Sequence, residues 1–135
     1  MNITESLDRI HQSEQVLGQQ FYAELAIRFP EAAKLFEGVN MEYQGALFTM
    51  QLATMVAYHR HKTKAPGLYL QVLGTRHKSR GVPVEMYPQF CEILLDVLAT
   101  FFRDDWDDSL AEEWRTAIQD AAAKMLEGYE HRYHV

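Results

Sequence analysis

This chain is poorest in cysteine: one, Cys91, among 135 residues. No internal disulfide can form, which points to a reducing compartment and excludes a small disulfide scaffold. Four prolines and seven glycines are too few for a collagen-like or linker-like chain. Apolar runs fall short of the ~18 residues that a spanning helix needs. Positive charge is in deficit, with 13 Lys and Arg against 19 Asp and Glu. A net charge of −6 without a basic stripe argues against nucleic acid as a partner. Alternating segments of strand length and Asn-Gly hairpin signals are missing. So are HExxH, GxSxG, Walker and GxGxxG motifs, and a zinc site built from cysteine pairs. The opening stretch MNITESLDRIHQSEQ is polar and acidic, unlike a secretory leader or a membrane anchor. The expected location is the cytoplasm.

What is present is helix. Hydrophobic residues make up 47% of the chain, enough for a packed core. Residues 1–135 fit a single domain. Thr4 is a plausible N-cap for a first helix carrying Leu7, Ile10 and Leu17, with Gly18 marking a break. Phe21, Tyr22, Leu25, Ala26 and Phe29 share one face of a second helix, which Pro30 ends. A short turn, EAAKLF, follows. From Glu42 to about His59 runs a helix that is apolar almost all round, as expected of burial on several sides. Pro66 suits the first turn of the next helix, and Gly81 and Pro83 stop it. A long helix from near Val84 carries Tyr87, Phe90, Leu94, Val97, Leu98 and Phe101. RDDWDDS offers an Asp or Ser cap for a last helix with Leu110, Trp114, Ala117, Ile118, Ala121, Met125 and Tyr129. The fold class is all-α. Helices of uneven length joined at proline corners suit oblique packing around something central.

Chemistry rests on few residues. His59 and His61 lie in a basic connector and read as solvated charge. His131 and His134 lie near the terminus. His77 differs, because it closes the stripe Tyr69–Leu73–His77 one turn before a helix stop. On local pattern it is open to three roles: core histidine, catalytic base or metal ligand. Cys91 reads as a buried small hydrophobe. Haem iron needs one strong axial ligand from a rigid helix, apolar walls and a few polar groups opposite. The chain holds residues of each kind.

At this point the sequence resembles bacterial globins of the three-over-three type, close to flavohaemoglobin globin domains and single-domain bacterial haemoglobins. FYAELAIRFPEAAKLF resembles their second and third helices, with Tyr22 matching the distal tyrosine and Phe36 the phenylalanine against the haem. YQGALFTM resembles the distal helix, with Gln44 matching the distal glutamine and Phe48 the apolar residue one turn on. A slip of one residue there would put Tyr43 and Leu47 in their place. HKSRGVPVEMY resembles the proximal corner, with His77 matching the iron ligand and Tyr87 the tyrosine packed on it. LAEEWRTA resembles the start of the last globin helix.

The resemblance implies a globin fold of six to eight helices and haem b held by His77. Leu73, Val82 and Phe90 would complete the cofactor wall with Phe36, Phe48 and Tyr87. Tyr22 and Gln44 would act on a bound diatomic ligand, with O2, NO and CO as candidates. Reversible oxygen binding linked to nitric oxide detoxification follows, in a monomer or homodimer. Dioxygenation of nitric oxide would need an external reductase, and a sensor or haem-free interaction domain is a further class. The family's glutamate partner of the proximal histidine and tyrosine is replaced here by Tyr129, with Glu127 and Glu130 beside it.

Overall fold

The computed structural model describes residues 1–131. Six α-helices run in the order α1 (Ile3–Gln12), α2 (Leu17–Arg28), α3 (Met41–His61), α4 (Lys64–Ser79), α5 (Met86–Phe102) and α6 (Asp108–Glu127). Two 3-10 segments, Pro30–Phe36 and Arg103–Asp105, join α2 to α3 and α5 to α6. Among the described residues there is no strand, and no helix is long and apolar enough to cross a membrane.

Asn2, not Thr4, caps α1. Its side chain accepts from the Glu5 N–H, and the Glu5 carboxylate accepts from the Asn2 N–H. This reciprocal capping box satisfies two of the donors a helix start leaves unpaired. The break after α1 falls at Ser13, whose hydroxyl accepts from the Gln15 N–H and so competes with helix continuation. Leu17 therefore heads α2 instead of closing α1.

Gly18 is no breaker. It is the second residue of α2, where that helix crosses α3 backbone to backbone. A Cβ at Gly18 would run into the Gly45 carbonyl. Thr49 clamps the crossing. Its buried hydroxyl accepts from the Gly18 N–H at 2.9 Å and donates to the Gly45 C=O at 2.8 Å.

Pro30 pushes Phe29 out of helical geometry, to φ −135° and ψ 76°. What reads as a loose turn in EAAKLF is a continuous 3-10 segment ending on Phe36. The α3 helix is capped by Asn40. It is not buried all round: Gly45, Thr49, Leu52 and Val56 are inside, while Tyr43 is 68% and Met50 60% exposed. Its continuous apolar composition hides a one-sided stripe. His59 is also not a solvated charge. Its ring is largely covered, with Nδ1 3.6 Å from the Asp120 carboxylate on α6.

The end of α4 places the site. The Gly81 N–H donates to the Lys78 C=O and the Val82 N–H to the His77 C=O, both at 3.0 Å. With Gly81 at φ 88°, this is the paired Schellman closure that only a residue tolerant of positive φ completes cheaply. Backbone approach recurs where α4 meets α6, since a Cβ at Gly74 would strike the Met125 carbonyl. The core gathers α1, α2, α3, α5 and α6 around Trp114, whose buried indole N–H donates to the Ser6 hydroxyl at 2.9 Å.

Candidate functional site

A cavity of about 290 Å³ opens between α2, α3, α4, α5 and α6. All nine residues singled out in the sequence line it. Tyr22 reaches it from α2, Phe36 from the end of the 3-10 segment, and Gln44 and Phe48 from α3. Leu73 and His77 come from α4, Val82 from the loop after it, and Tyr87 and Phe90 from α5. One wall is aromatic: the Phe21 and Phe48 rings stack at 4.4 Å, and Tyr22 meets Phe36 and Phe48 edge to face.

Two polar groups meet on that wall. The Gln44 side-chain N–H donates to the Tyr22 hydroxyl oxygen at 3.0 Å. That bond occupies a lone pair of Tyr22 and leaves its O–H hydrogen uncommitted. Burial, the dominant influence, raises the Tyr22 pKa, while Gln44 and the Arg80 cation lower it in part. The phenol therefore stays protonated and able to donate at neutral pH. Gln44 and Phe48 both line the cavity. Tyr43 is exposed, whereas Leu47 lines the cavity beside Phe48.

His77 lies on the last full turn of α4, with Nδ1 3.0 Å from the Tyr87 hydroxyl. Burial first, and the Arg80 cation second, hold its pKa down at about 4. It is a neutral imidazole at physiological pH. With Nδ1 engaged, Nε2 is the ring nitrogen left for a ligand, and no hydrogen bond among the described residues occupies it. Among the described residues no carboxylate acts on it. Glu127 instead sits at the surface with Gln71 and Lys124. Tyr129 stands next to Tyr87, rings edge to face at 5.7 Å, and donates its O–H to the Val82 C=O at 2.7 Å. It lies in the turn after α6 rather than in the helix itself.

Several lining residues escaped the sequence reading. Arg76 and Arg80 reach the cavity from the exposed end of α4, and neither forms an ion pair among the described residues. Their spacing around His77, one before and three after, was a usable signal. Gln51 and Tyr69 also line it, joined by a 3.0 Å hydrogen bond. Tyr69 heads the stripe that His77 closes, whereas Gln51 does not stand out in sequence, because it is an ordinary polar residue of a long helix. Cys91 lines the cavity too, and burial raises its thiol pKa, so it stays a thiol.

The globin family model matches residues 19–125. The chain belongs to the globin family. That match covers every residue of the cavity wall named above. Membership implies haem-based binding of small gas ligands in general. No curated protein matches this globin closely enough to serve as a relative.

The donor set fits such a cofactor. Among the described residues no three His, Cys, Asp or Glu side chains gather as a metal site. A porphyrin brings four nitrogens of its own and asks one ligand of the protein, which is what this cavity offers. The apolar walls suit the macrocycle, and the two arginines suit its carboxylates.

Proposed function

We propose that residues 1–135 form a haem b globin domain that binds O2 reversibly, with NO and CO as further ligands, in a cytoplasmic role linked to nitric oxide detoxification. One observation carries this reading. His77, its Nδ1 held by Tyr87, and the Tyr22–Gln44 pair line the same apolar cavity. That pair also supports the likeness to bacterial single-domain and flavohaemoglobin globins.

His77 would hold the iron through Nε2. Phe36, Phe48, Leu73, Val82, Tyr87 and Phe90 would enclose the macrocycle, with Arg76 and Arg80 at its carboxylates. The b type is favoured because the chain has a single cysteine, and covalent attachment through C-x-x-C-H needs two. When bound, the haem iron supplies reversible coordination of diatomics and, with a separate reductase, dioxygenation of nitric oxide to nitrate.

The protein's own contribution is orientation and hydrogen bonding. Tyr22 donates into the cavity while Gln44 fixes its phenol from the acceptor side. Phe21, Phe36 and Phe48 keep water from competing for that hydrogen. The neutral phenol beside His77 favours binding over ligand activation, because a carboxylate partner would make the imidazole more electron-rich. Oxygen binding is therefore the first reading and nitric-oxide dioxygenase the second.

The deciding experiment is an absorption spectrum of the purified protein after haem reconstitution. A Soret band that is lost in His77→Ala is expected. No band in the parent protein, or an unchanged band in the variant, rejects the assignment. Mixing the oxygenated protein with nitric oxide then separates the two readings, by whether nitrate forms rapidly.

A further inference from the structure

A second cavity lies behind the aromatic wall. It holds about 570 Å³ between α2, the first 3-10 segment and the start of α3. Tyr22, Leu25 and Phe36 line both cavities, so the partition is a single layer of side chains. Small residues leave the space. Ala23 and Ala26, three apart, share one face of α2, and Ala32 and Ala33 face them from the 3-10 segment that follows Pro30. Ala23, Ala26 and Ala33 are exposed, so solutes reach this floor.

Two polar side chains join the lining, Gln19 from α2 and Glu42 from the first turn of α3. Glu42 is the one charged residue among the described residues of this cavity. Its carboxylate enters no ion pair or hydrogen bond among the described residues. The main cavity has the opposite character, with Arg76, Arg80 and His77 in its wall. The two spaces therefore select by charge: the first suits a ligand with carboxylates, the second a ligand with a cation. One carboxylate is far short of the oxygen ligands a bare divalent metal takes. A hydrated inorganic ion would gain nothing from an alanine floor, whereas an organic cation buries its apolar body there. Aromatic side chains such as Tyr22 and Phe36 attract an ammonium group further. The volume falls within the roughly 300–1,000 Å³ of small-molecule sites.

We propose that this groove is a binding site for a small organic ammonium ion, its cation at Glu42 and its apolar body on the alanines against Tyr22 and Phe36. This site goes beyond gas binding and needs no haem. Its occupant would touch two side chains of the gas cavity, which makes the groove a place from which a second small molecule can act on the first site.

The test is an NMR titration of the full-length protein with benzyltrimethylammonium, whose quaternary nitrogen has no lone pair to offer iron. The haem-loaded protein is titrated as its carbon monoxide complex. If no haem is taken up, the haem reading fails by itself and the haem-free chain is titrated instead. The methyl signals of Ala23, Ala26 and Ala33 and the ring signals of Tyr22 and Phe36 should move together and saturate in the millimolar range. Glu42→Gln should weaken binding several-fold, because it removes the charge and keeps the shape. Phenylacetate, with the opposite charge on a similar body, should not bind there. Ala26→Phe fills the groove from α2 and Ala33→Leu from the 3-10 segment. Both positions are exposed, so both variants should fold, and each should abolish saturable binding. No shifts in the millimolar range, equal binding of phenylacetate, or undiminished binding in Glu42→Gln overturns the proposal. Shifts that survive both groove-filling variants overturn it too, since the cation would then bind elsewhere.

Discussion

At the scale of single residues, Tyr22 and His77 carry opposite demands. Tyr22 has to stay a donor, and His77 has to stay bare at Nε2. A phenol hydrogen bond to a partly charged ligand in an apolar pocket is worth roughly 1.5–3 kcal/mol, about 10–150-fold in affinity. Tyr22→Phe should therefore release oxygen about 10–150-fold faster, as stopped-flow dissociation would show. A rate equal to the parent's would remove Tyr22 from the ligand's surroundings. His77 gives a pH signature in the haem-free chain. Unfolded, a histidine titrates near 6.5; folded, burial and Arg80 hold it at about 4. Between those values the unfolded chain binds a proton that the folded one refuses. Stability is thus complete above about 6.5, falls as pH drops toward 4, and levels off below. The loss is on the order of 3 kcal/mol. Urea melts across that range should show it, and His77→Gln should remove that part of the slope.

Helices decide how far sequence reasoning reached. The stops at Pro30 and Gly81 were legible because local sterics dictate them: a residue before proline leaves helical space, and a Schellman closure needs positive φ. The cap at Asn2 was missed because Thr4 is also a cap type, and only the Glu5 partner three residues on separates them. The role of Gly18 was illegible. A glycine that breaks a helix and one that lets two helices touch look alike in one sequence, and the partner, Gly45, lies far along the chain. Exposure along α3 was misjudged for the same reason, since an apolar composition does not say which side meets a neighbour. All nine site residues, by contrast, line one cavity; the resemblance to globin segments pointed to them, and Phe36 and Val82, which lie outside the α-helices, could not have been placed by helix periodicity. Gly74 tests the close contact between α4 and α6. In an open helix, Gly→Ala is stabilising by up to about 1 kcal/mol. Here the added Cβ meets the Met125 carbonyl, so overpacking of roughly 1–3 kcal/mol should win. Chemical denaturation of Gly74→Ala should show a net loss, and a gain would mean that the two helices slide apart at little cost.

At the scale of the whole molecule, the cavity is where five helices fail to meet. Its walls come from α2 to α6, so whatever fills it ties those elements together. A ligand at about 100 times its dissociation constant adds about 2.7 kcal/mol to the folded state. For a chain of this size that moves the unfolding midpoint by on the order of 10 °C. Removing haem should lower the midpoint by that amount in the parent and by little in His77→Ala, as differential scanning calorimetry would record. An equal shift in both proteins would mean that the cofactor is held by its apolar contacts alone.

The glycine pair at the α2–α3 crossing has a consequence for the chemistry of the pocket. Gly45 directly follows Gln44, and Gly18 precedes Tyr22 by about one helical turn. With Thr49 bolting the two backbones together, the crossing works as a fulcrum close to both polar groups. Their spacing is inherited from the main chain, and no side-chain choice nearby has to maintain it. The residues at 22 and 44 are therefore exchangeable parts on a fixed hinge pin. New donors and acceptors can be fitted there to retune ligand preference, while a single methyl group added at Gly18 would throw both out of register at once.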